Sequence, residues 1–357
     1  MPASTRENTR AKEEVGLTTT EGRAKPFVPK DVNGKPILQS KRWLYSTPAS
    51  LKSELQALTI SAALSSAFVA FSVSTTGRNF YEYLDTTYGA YNVNLWGTFI
   101  VTTVFFWVGG LIFAIPDLTG WPKWLFKYKT QPFVRVTPKE YARIMAVSMR
   151  NQVFVALPLI FAMTTVQPPR PVTPSALPSA PVMLATVLFD VFCTEMGFYY
   201  IHRMFHSSLL YQLFHKQHHE FTAPVALAST YCTVTEHIFS NLLPNALGTI
   251  VVPHHWSQAC FAFVILEFGT LCAHSGYNIP LLPSNLQHDY HHFAFDENFG
   301  PIGLFDALHK TNKKFVKTVA EAQSRTGCDE SARQLVLERL ATMEVEDRER
   351  AAAVKTA

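Results

Sequence analysis

Apolar and polar positions divide the chain into three zones. Residues 1–50 are polar, carry Pro26, Pro29, Pro36 and Pro48, and show no sustained period. They open without the apolar run of a signal peptide, and residues 1 to about 45 read as a flexible cytosolic tail. From Leu55 long apolar runs take over. About 20 apolar residues cross a bilayer core of about 30 Å as a helix, and residues 55–74 and 93–115 reach that length without an internal charge. The second run closes at Pro116-Asp117, with Trp121 and Trp124 placed as interfacial anchors. Residues 151–166 are shorter, and start near Tyr141 if Arg143 and Arg150 are included. Residues 181–200 follow a proline-rich connector at 167–181. Two more apolar stretches, 225–252 and 256–271, are interrupted by polar groups and separated by Pro253-His254-His255. Beyond Lys310 the chain is charged, and residues 329–352 read as a helix with Leu335, Val336, Leu340 and Met343 at helical spacing.

Charge orients these runs. Lys and Arg number ten in residues 1–54, one in 75–92, seven in 116–150 and one in 167–180, the alternation of the positive-inside rule. The N-terminus is then cytosolic, and four crossings return the chain to the cytosol near residue 202. In a large soluble protein the same alternation would be coincidence. Composition agrees: 16% of residues are charged against roughly 25% in soluble domains. The 27 Phe, 13 Tyr and 6 Trp exclude general disorder. Five scattered Cys without a CxxC exclude a disulfide scaffold, and a net charge of +4 is too small and dispersed for nucleic acid. The expected organisation is an N-terminal tail over 1–45, membrane helices 1–3 with their loops over 46–180, a catalytic domain over 181–312, and a charged, partly helical cytosolic tail over 313–357. The expected fold class is an all-α integral membrane protein. About four transmembrane helices would carry a cytosolic helical cap with a His-rich dimetal site.

The chemistry is concentrated in three short boxes: His202-Arg203-Met204-Phe205-His206, His215-Lys216-Gln217-His218-His219 and His288-Asp289-Tyr290-His291-His292. They hold eight of thirteen histidines, where an even spread over 357 residues would put about half of one in fifteen positions. Residues three and four apart share a helical face, so each box aims two or three imidazoles one way. Eight donors exceed the three or four that one zinc takes and suit two ions side by side. Imidazole serves Zn, Cu, Fe and Ni alike, and iron is favoured by the membrane setting, where redox chemistry on a lipid is beyond zinc. His274, in Ala273-His274-Ser275-Gly276-Tyr277, is a candidate ninth ligand, and His237 a weaker one that can equally hydrogen-bond locally. Glu195 and Glu267 each precede a histidine by seven residues. They can orient imidazoles on neighbouring helices or pair with a structural cation; Asp190 and Glu236 are read the same way.

On these residues the chain resembles the fatty acid hydroxylase superfamily of integral membrane non-heme diiron enzymes, over about residues 189–311. The order of the boxes, Ala223-Pro224, Glu236-His237, His274-Ser275-Gly276-Tyr277, Asn298-Phe299-Gly300 and Asp306 looks like the family pattern. The third box and Ser240-Asn241-Leu242-Leu243-Pro244 look nearest to the fatty-acid-hydroxylase-domain-containing and C4-methylsterol oxidase branch. Two positions depart from it: Cys232-Thr233-Val234 stands where Ala-His-Pro is common, and Lys310 where Gly is frequent. The resemblance implies a multi-pass enzyme of the endoplasmic reticulum membrane with a cytosolic active site. It implies two iron ions, O2 as co-substrate, and electrons from NAD(P)H through cytochrome b5 or its reductase. It carries His202, His206, His215, His218, His219, His288, His291 and His292 over as metal ligands, with His274 as the extra one.

The leading expectation is oxidation of an unactivated C–H bond of a sterol or related terpenoid. Acyl-lipid hydroxylation or desaturation, or tailoring of a specialised metabolite, keeps the same centre. A divalent-metal transporter would place its ligands near the bilayer midplane in broken helices, whereas these boxes lie beyond the helix ends. A catalytically idle zinc-binding relative is the remaining alternative.

Overall fold

The computed structural model describes residues 35–36, 41–47, 52–132, 134, 136–252, 254–324 and 349. They form an all-helical protein with an isolated bridge between Lys129 and Tyr277. α1 (Arg42–Ser46) and α2 (Lys52–Val73) precede α3 (Thr75–Asn92), which starts at Ser74, whose hydroxyl accepts from the Gly77 N–H. α3 bends at Gly89, whose φ of 73° breaks the helical path, and passes through a π turn, Val93–Gly97, into α4 (Thr98–Thr119). Gly120, in the left-handed region, ends α4 by donating to the Pro116 carbonyl at 2.8 Å. α5 (Pro138–Asn151) opens with a reciprocal capping box between Thr137 and Glu140 and continues through a π turn, Gln152–Ala156, into α6 (Leu157–Val166). α7 (Ala180–Phe205), α8 (Leu243–Val251), α9 (Trp256–His274), α10 (Leu286–Ala294), α11 (Leu304–His309) and α12 (Lys313–Ser324) complete the described helices used below.

Among the described residues, four helices are long and apolar enough to cross a membrane: Thr75–Thr119, Pro138–Val166, Ala180–Phe205 and Trp256–His274. Their polarity is that of a membrane protein. On α4 Ile100, Val104, Val108, Ile112 and Ile115 form an exposed apolar stripe, while Phe106 and Phe113 face inward. A contiguous stripe of that kind belongs against lipid rather than water. The inner faces meet in a core of Phe106, Tyr141, Ile144, Leu227, Leu271 and Tyr277. Gly110 lets α4 approach the Leu227 side chain, which a Cβ there would strike.

Polar contacts sort into two ends of this bundle. At one end Asn94 donates to the Arg170 carbonyl at 2.9 Å and the Trp256 N–H to the Pro171 carbonyl at 3.0 Å. At the other, Asp117 accepts from Lys129 at 2.7 Å, from the Tyr277 hydroxyl at 2.7 Å and from the Tyr141 hydroxyl at 2.8 Å. The C-terminus of α9 arrives at this second end, where Lys129 reaches the Ser275 carbonyl, and α10 joins it through Thr130–Asn285 and Gln131–Asp289.

The spans differ in part from the sequence reading. The run at 55–74 contributes the shorter apolar helix Leu58–Val73, and the polar stretch after it, expected as a loop, is the helix α3 leading into α4. The stretch at 256–271, expected outside the four crossings, becomes the fourth long helix. Residues 225–252 are not one helix. They break into a 3-10 turn (Ala226–Thr230), a short turn (Val234–Glu236), a π turn (His237–Leu242) and α8, where Thr233 caps the short turn and Glu236 turns to His215. The tail does not extend to residue 45: Arg42–Ser46 is helical and Trp43 is buried. The helix expected at 329–352 and the tail before residue 35 lie outside the described residues.

Candidate metal centre

Five short elements deliver the histidines. His202 and His206, four residues apart, face one way at the end of α7. His215 closes a π turn, Tyr211–His215, and His218 and His219 sit on a 3-10 turn, His218–Glu220, where consecutive side chains diverge. His274 ends α9, and α10 carries His288, His291 and His292. The rings converge in two adjoining sets: His202, His206, His215, His219 and His291 in one, His218, His274, His288 and His292 in the other, the ligand atoms of each set within 4.8 Å of one another. His218 and His219 therefore feed one set each, and α10 feeds both.

In the first set Nε2 atoms lie 3.0 Å apart for His202–His215, His206–His215 and His215–His219, 3.1 Å for His206–His291 and 3.2 Å for His219–His291. In the second the separations are 2.9 Å for His274–His288, 3.0 Å for His288–His292 and 3.3 Å for His218–His274. The opposite ring nitrogens show what those contacts are. Nδ1–H donates to the Phe299 carbonyl from His202 (2.7 Å), to Glu236 Oε1 from His215 (2.8 Å) and to the Thr270 carbonyl from His274 (2.9 Å). It donates to the Glu297 carbonyl from His291 (2.8 Å) and to the Phe221 carbonyl from His292 (3.0 Å). A neutral imidazole has one N–H, so each of these five rings turns a lone pair on Nε2 into its set. His202 and His215 face each other lone pair to lone pair, which repels unless a cation lies between. Two nitrogens about 2.1 Å from one ion are about 3.0 Å apart at a right angle and about 3.4 Å at the tetrahedral angle. The donor sets therefore fit two cations, one that His202, His206, His215, His219 and His291 would hold and one that His218, His274, His288 and His292 would hold.

Burial keeps the rings in the donor state. His206, His215, His218, His219, His288, His291 and His292 are held well below the ordinary imidazole pKa, first by burial and then, for most, by neighbouring imidazoles. Burial by itself pushes the Glu236 carboxyl well above its usual range; a cation on the His215 ring would favour the ionised form that accepts from His215 Nδ1–H.

The nine histidines expected from sequence come together, and the accessory residues separate. His237 stands outside both sets, with Nδ1 3.3 Å from the Asn241 amide. Glu236 orients His215 as expected. Glu195 does not reach an imidazole: it accepts from the Ile302 and Phe305 N–H groups at 2.9 and 3.2 Å, fixing the loop whose Phe299 carbonyl holds His202. Glu267 is half-buried on α9 with its Oε2 enclosed and unpartnered, about 10 Å of helical rise from His274. Asp190 pairs with His254 at 3.0 Å, remote from the boxes. Thr233, one of the two departures, caps the turn before Glu236 and donates to the Phe214 carbonyl at 2.9 Å, so it steadies the Glu236–His215 contact. Lys310 occupies a left-handed position (φ 58°) at the end of α11, which is why glycine suits that place. Asp306 accepts from the N–H groups of Phe299 and Gly300 at 2.9 and 2.7 Å and from Thr311 at 2.6 Å, locking the same loop.

The fatty acid hydroxylase family matches residues 187–311. The chain is similar to fatty acid hydroxylase ahd1 of Mycosarcoma maydis, 36% identical over 88% of this chain and 82% of the relative. It is 32% identical to fatty acid hydroxylase domain-containing protein 2 of Homo sapiens, over 63% of this chain and 68% of the relative. It is 28% identical to methylsterol monooxygenase 1 of Danio rerio, over 64% and 81% respectively. No solved structure matches. The chain belongs to the fatty acid hydroxylase family, and its relatives indicate a membrane-embedded oxidoreductase of the hydroxylase or monooxygenase type.

Proposed function

We propose that this protein is a non-heme diiron oxygenase that uses O2 to oxidise an unactivated C–H bond of a sterol or related terpenoid lipid. The observation that carries the reading is the convergence of nine imidazoles into two adjoining sets at one end of an apolar helix bundle. Five donors in one set exceed the four of a closed zinc site, which favours iron over an idle zinc-binding relative. His202, His206, His215, His219 and His291 hold one ion and His218, His274, His288 and His292 the other. When bound, the two irons together supply the electrons that activate O2 for C–H cleavage.

The chain's own residues prepare that chemistry. The carbonyls of Phe299, Glu297, Phe221 and Thr270 and the Glu236 carboxylate fix the tautomer and direction of five of the nine rings, and such outer contacts raise ligand basicity. Burial excludes water and keeps the rings unprotonated at neutral pH. The apolar bundle below lets a lipid reach the centre from within the bilayer. Of the Lys and Arg of 116–150, Lys129 pairs with Asp117 and Arg143 with Glu220 at the histidine end, which supports a cytosolic site, in the endoplasmic reticulum, with electrons from NAD(P)H through cytochrome b5 or its reductase. A second reading, hydroxylation of an acyl chain, is favoured by the name of the Mycosarcoma maydis relative.

Lipid profiling after gene deletion tests the choice. The sterol reading predicts accumulation of a less oxidised sterol or terpenoid with fatty acids unchanged. A deficit confined to hydroxylated or desaturated acyl chains replaces it with the second reading, and metal uptake into vesicles would replace both with transport.

A further inference from the structure

We infer that Trp43, which precedes the membrane helices in sequence, is a positioning residue for the metal centre, acting through Asp289. The inference rests on the reading of the two imidazole sets as a dimetal site. α1 has five residues, too few to be stable as a free helix, so its place is set by what it docks on: α12 and, through Trp43, α10. The Trp43 ring meets Tyr290 edge-on at 5.1 Å and Phe315 at 6.2 Å, within a buried cluster that includes Leu286, Phe293 and Val319. Its Nε1–H donates at 2.7 Å to Asp289 Oδ1 inside the third histidine box.

Asp289 is a hub. The same Oδ1 accepts from Gln131 Nε2 at 2.8 Å, and Gln131 Nε2 also donates to the Thr222 carbonyl at 2.8 Å. The neighbouring Phe221 carbonyl receives the Nδ1–H of His292. One residue before Gln131, Thr130 exchanges hydrogen bonds with Asn285 at the start of α10, at 2.8 and 3.2 Å. Trp43, Gln131 and Asp289 thus close a path from the N-terminal segment to a carbonyl that aims a ligand ring. Trp43 and Asp289 are both buried, at 1% and 0% exposure, so water cannot substitute for the contact.

The leverage comes from α10 itself. It contributes His291 to one set and His288 and His292 to the other, so a tilt of this helix moves donors at both ions at once. A contact that fixes its rotation sets the relation between the two sets and not merely the stability of the cap.

The test uses the full chain in nanodiscs, stripped of metal and titrated with Co2+ alone, read by visible ligand-field bands alongside thermal unfolding of the metal-free protein. Trp43→Phe keeps an aromatic ring and removes the donor; Asp289→Leu removes the acceptor from the other side, which Asn, with its own Oδ1, would not. The wild-type chain is expected to take up two Co2+. Both variants should bind Co2+ about tenfold more weakly with the same displacement of the bands, and the double variant should add little to either. Unfolding that shifts while affinity and bands stay wild-type in both variants would make Trp43 a packing residue only and overturn the inference. Wild-type protein that takes up no Co2+ would instead overturn the dimetal reading, and this inference with it.

Discussion

Buried histidines occur at both ends of the bundle, and the two ends treat them differently. At the far end His254 Nε2 faces the Asp190 carboxylate at 3.0 Å, and His255 divides its nitrogens between the Ser257 hydroxyl (2.8 Å) and the Val172 carbonyl (2.9 Å). No two rings there present nitrogens to each other. At the site end the Nδ1 atoms of five rings are committed to protein acceptors and Nε2 atoms converge on one another. Burial of imidazole is therefore not what marks a metal centre. The mark is a ring nitrogen that the protein leaves unsatisfied toward others of its kind.

Substitutions should separate the two ends. His218→Ala is expected to abolish oxidation and to lose about one ion per chain, by activity assay and elemental analysis. His254→Asn should keep both ions and instead cost about 3–5 kcal/mol of stability, because it strands the buried Asp190; equal metal loss in both variants would erase the contrast. Acidification comes next. Buried rings with depressed pKa stay neutral in the fold, while unfolded histidines titrate near 6.5. Above that pH neither state takes up protons, and below it the unfolded chain gains them first. Stability of the metal-free protein should thus be full above about pH 6.5 and fall as pH drops toward the folded values, visible as a declining unfolding temperature in chelator. Invariance between pH 7.5 and 5.5 would contradict the buried, neutral state.

Glu236→Gln probes one tether. It should weaken metal binding by about 10–100-fold without loss of the helical fold, measured by competition with a chromogenic chelator. The smallest effect is expected at Lys310, where Gly relieves a left-handed backbone and should stabilise by about 1 kcal/mol with metal content unchanged.

The histidine boxes were legible because spacing of three and four residues is itself geometry, and His274 because it follows an apolar run. The tethers were not. Phe299, Glu297, Phe221 and Thr270 hold the rings through backbone carbonyls, which every residue possesses, so their identities carry no signal. Glu236 was readable as a carboxylate beside a histidine, whereas Glu195, expected to orient a ring on a neighbouring helix or pair with a cation, holds backbone N–H groups of a loop instead, and Glu267 Oε2 has no partner. The apolar runs announced a membrane protein, and those at 93–115, 151–166 and 181–200 fall within its long helices; what they did not show is that the polar residues 75–92 remain helical and that 256–271 forms a fourth long helix. Trp43 gave no warning, because its partner Asp289 is 246 positions away.

The most direct test of the two-set account is elemental analysis, with X-ray absorption at the iron edge, of full-length protein purified from iron-replete cells. The account predicts two irons per chain in a predominantly nitrogen environment. Zinc alone, a single ion, or a first shell dominated by oxygen or sulfur would contradict it.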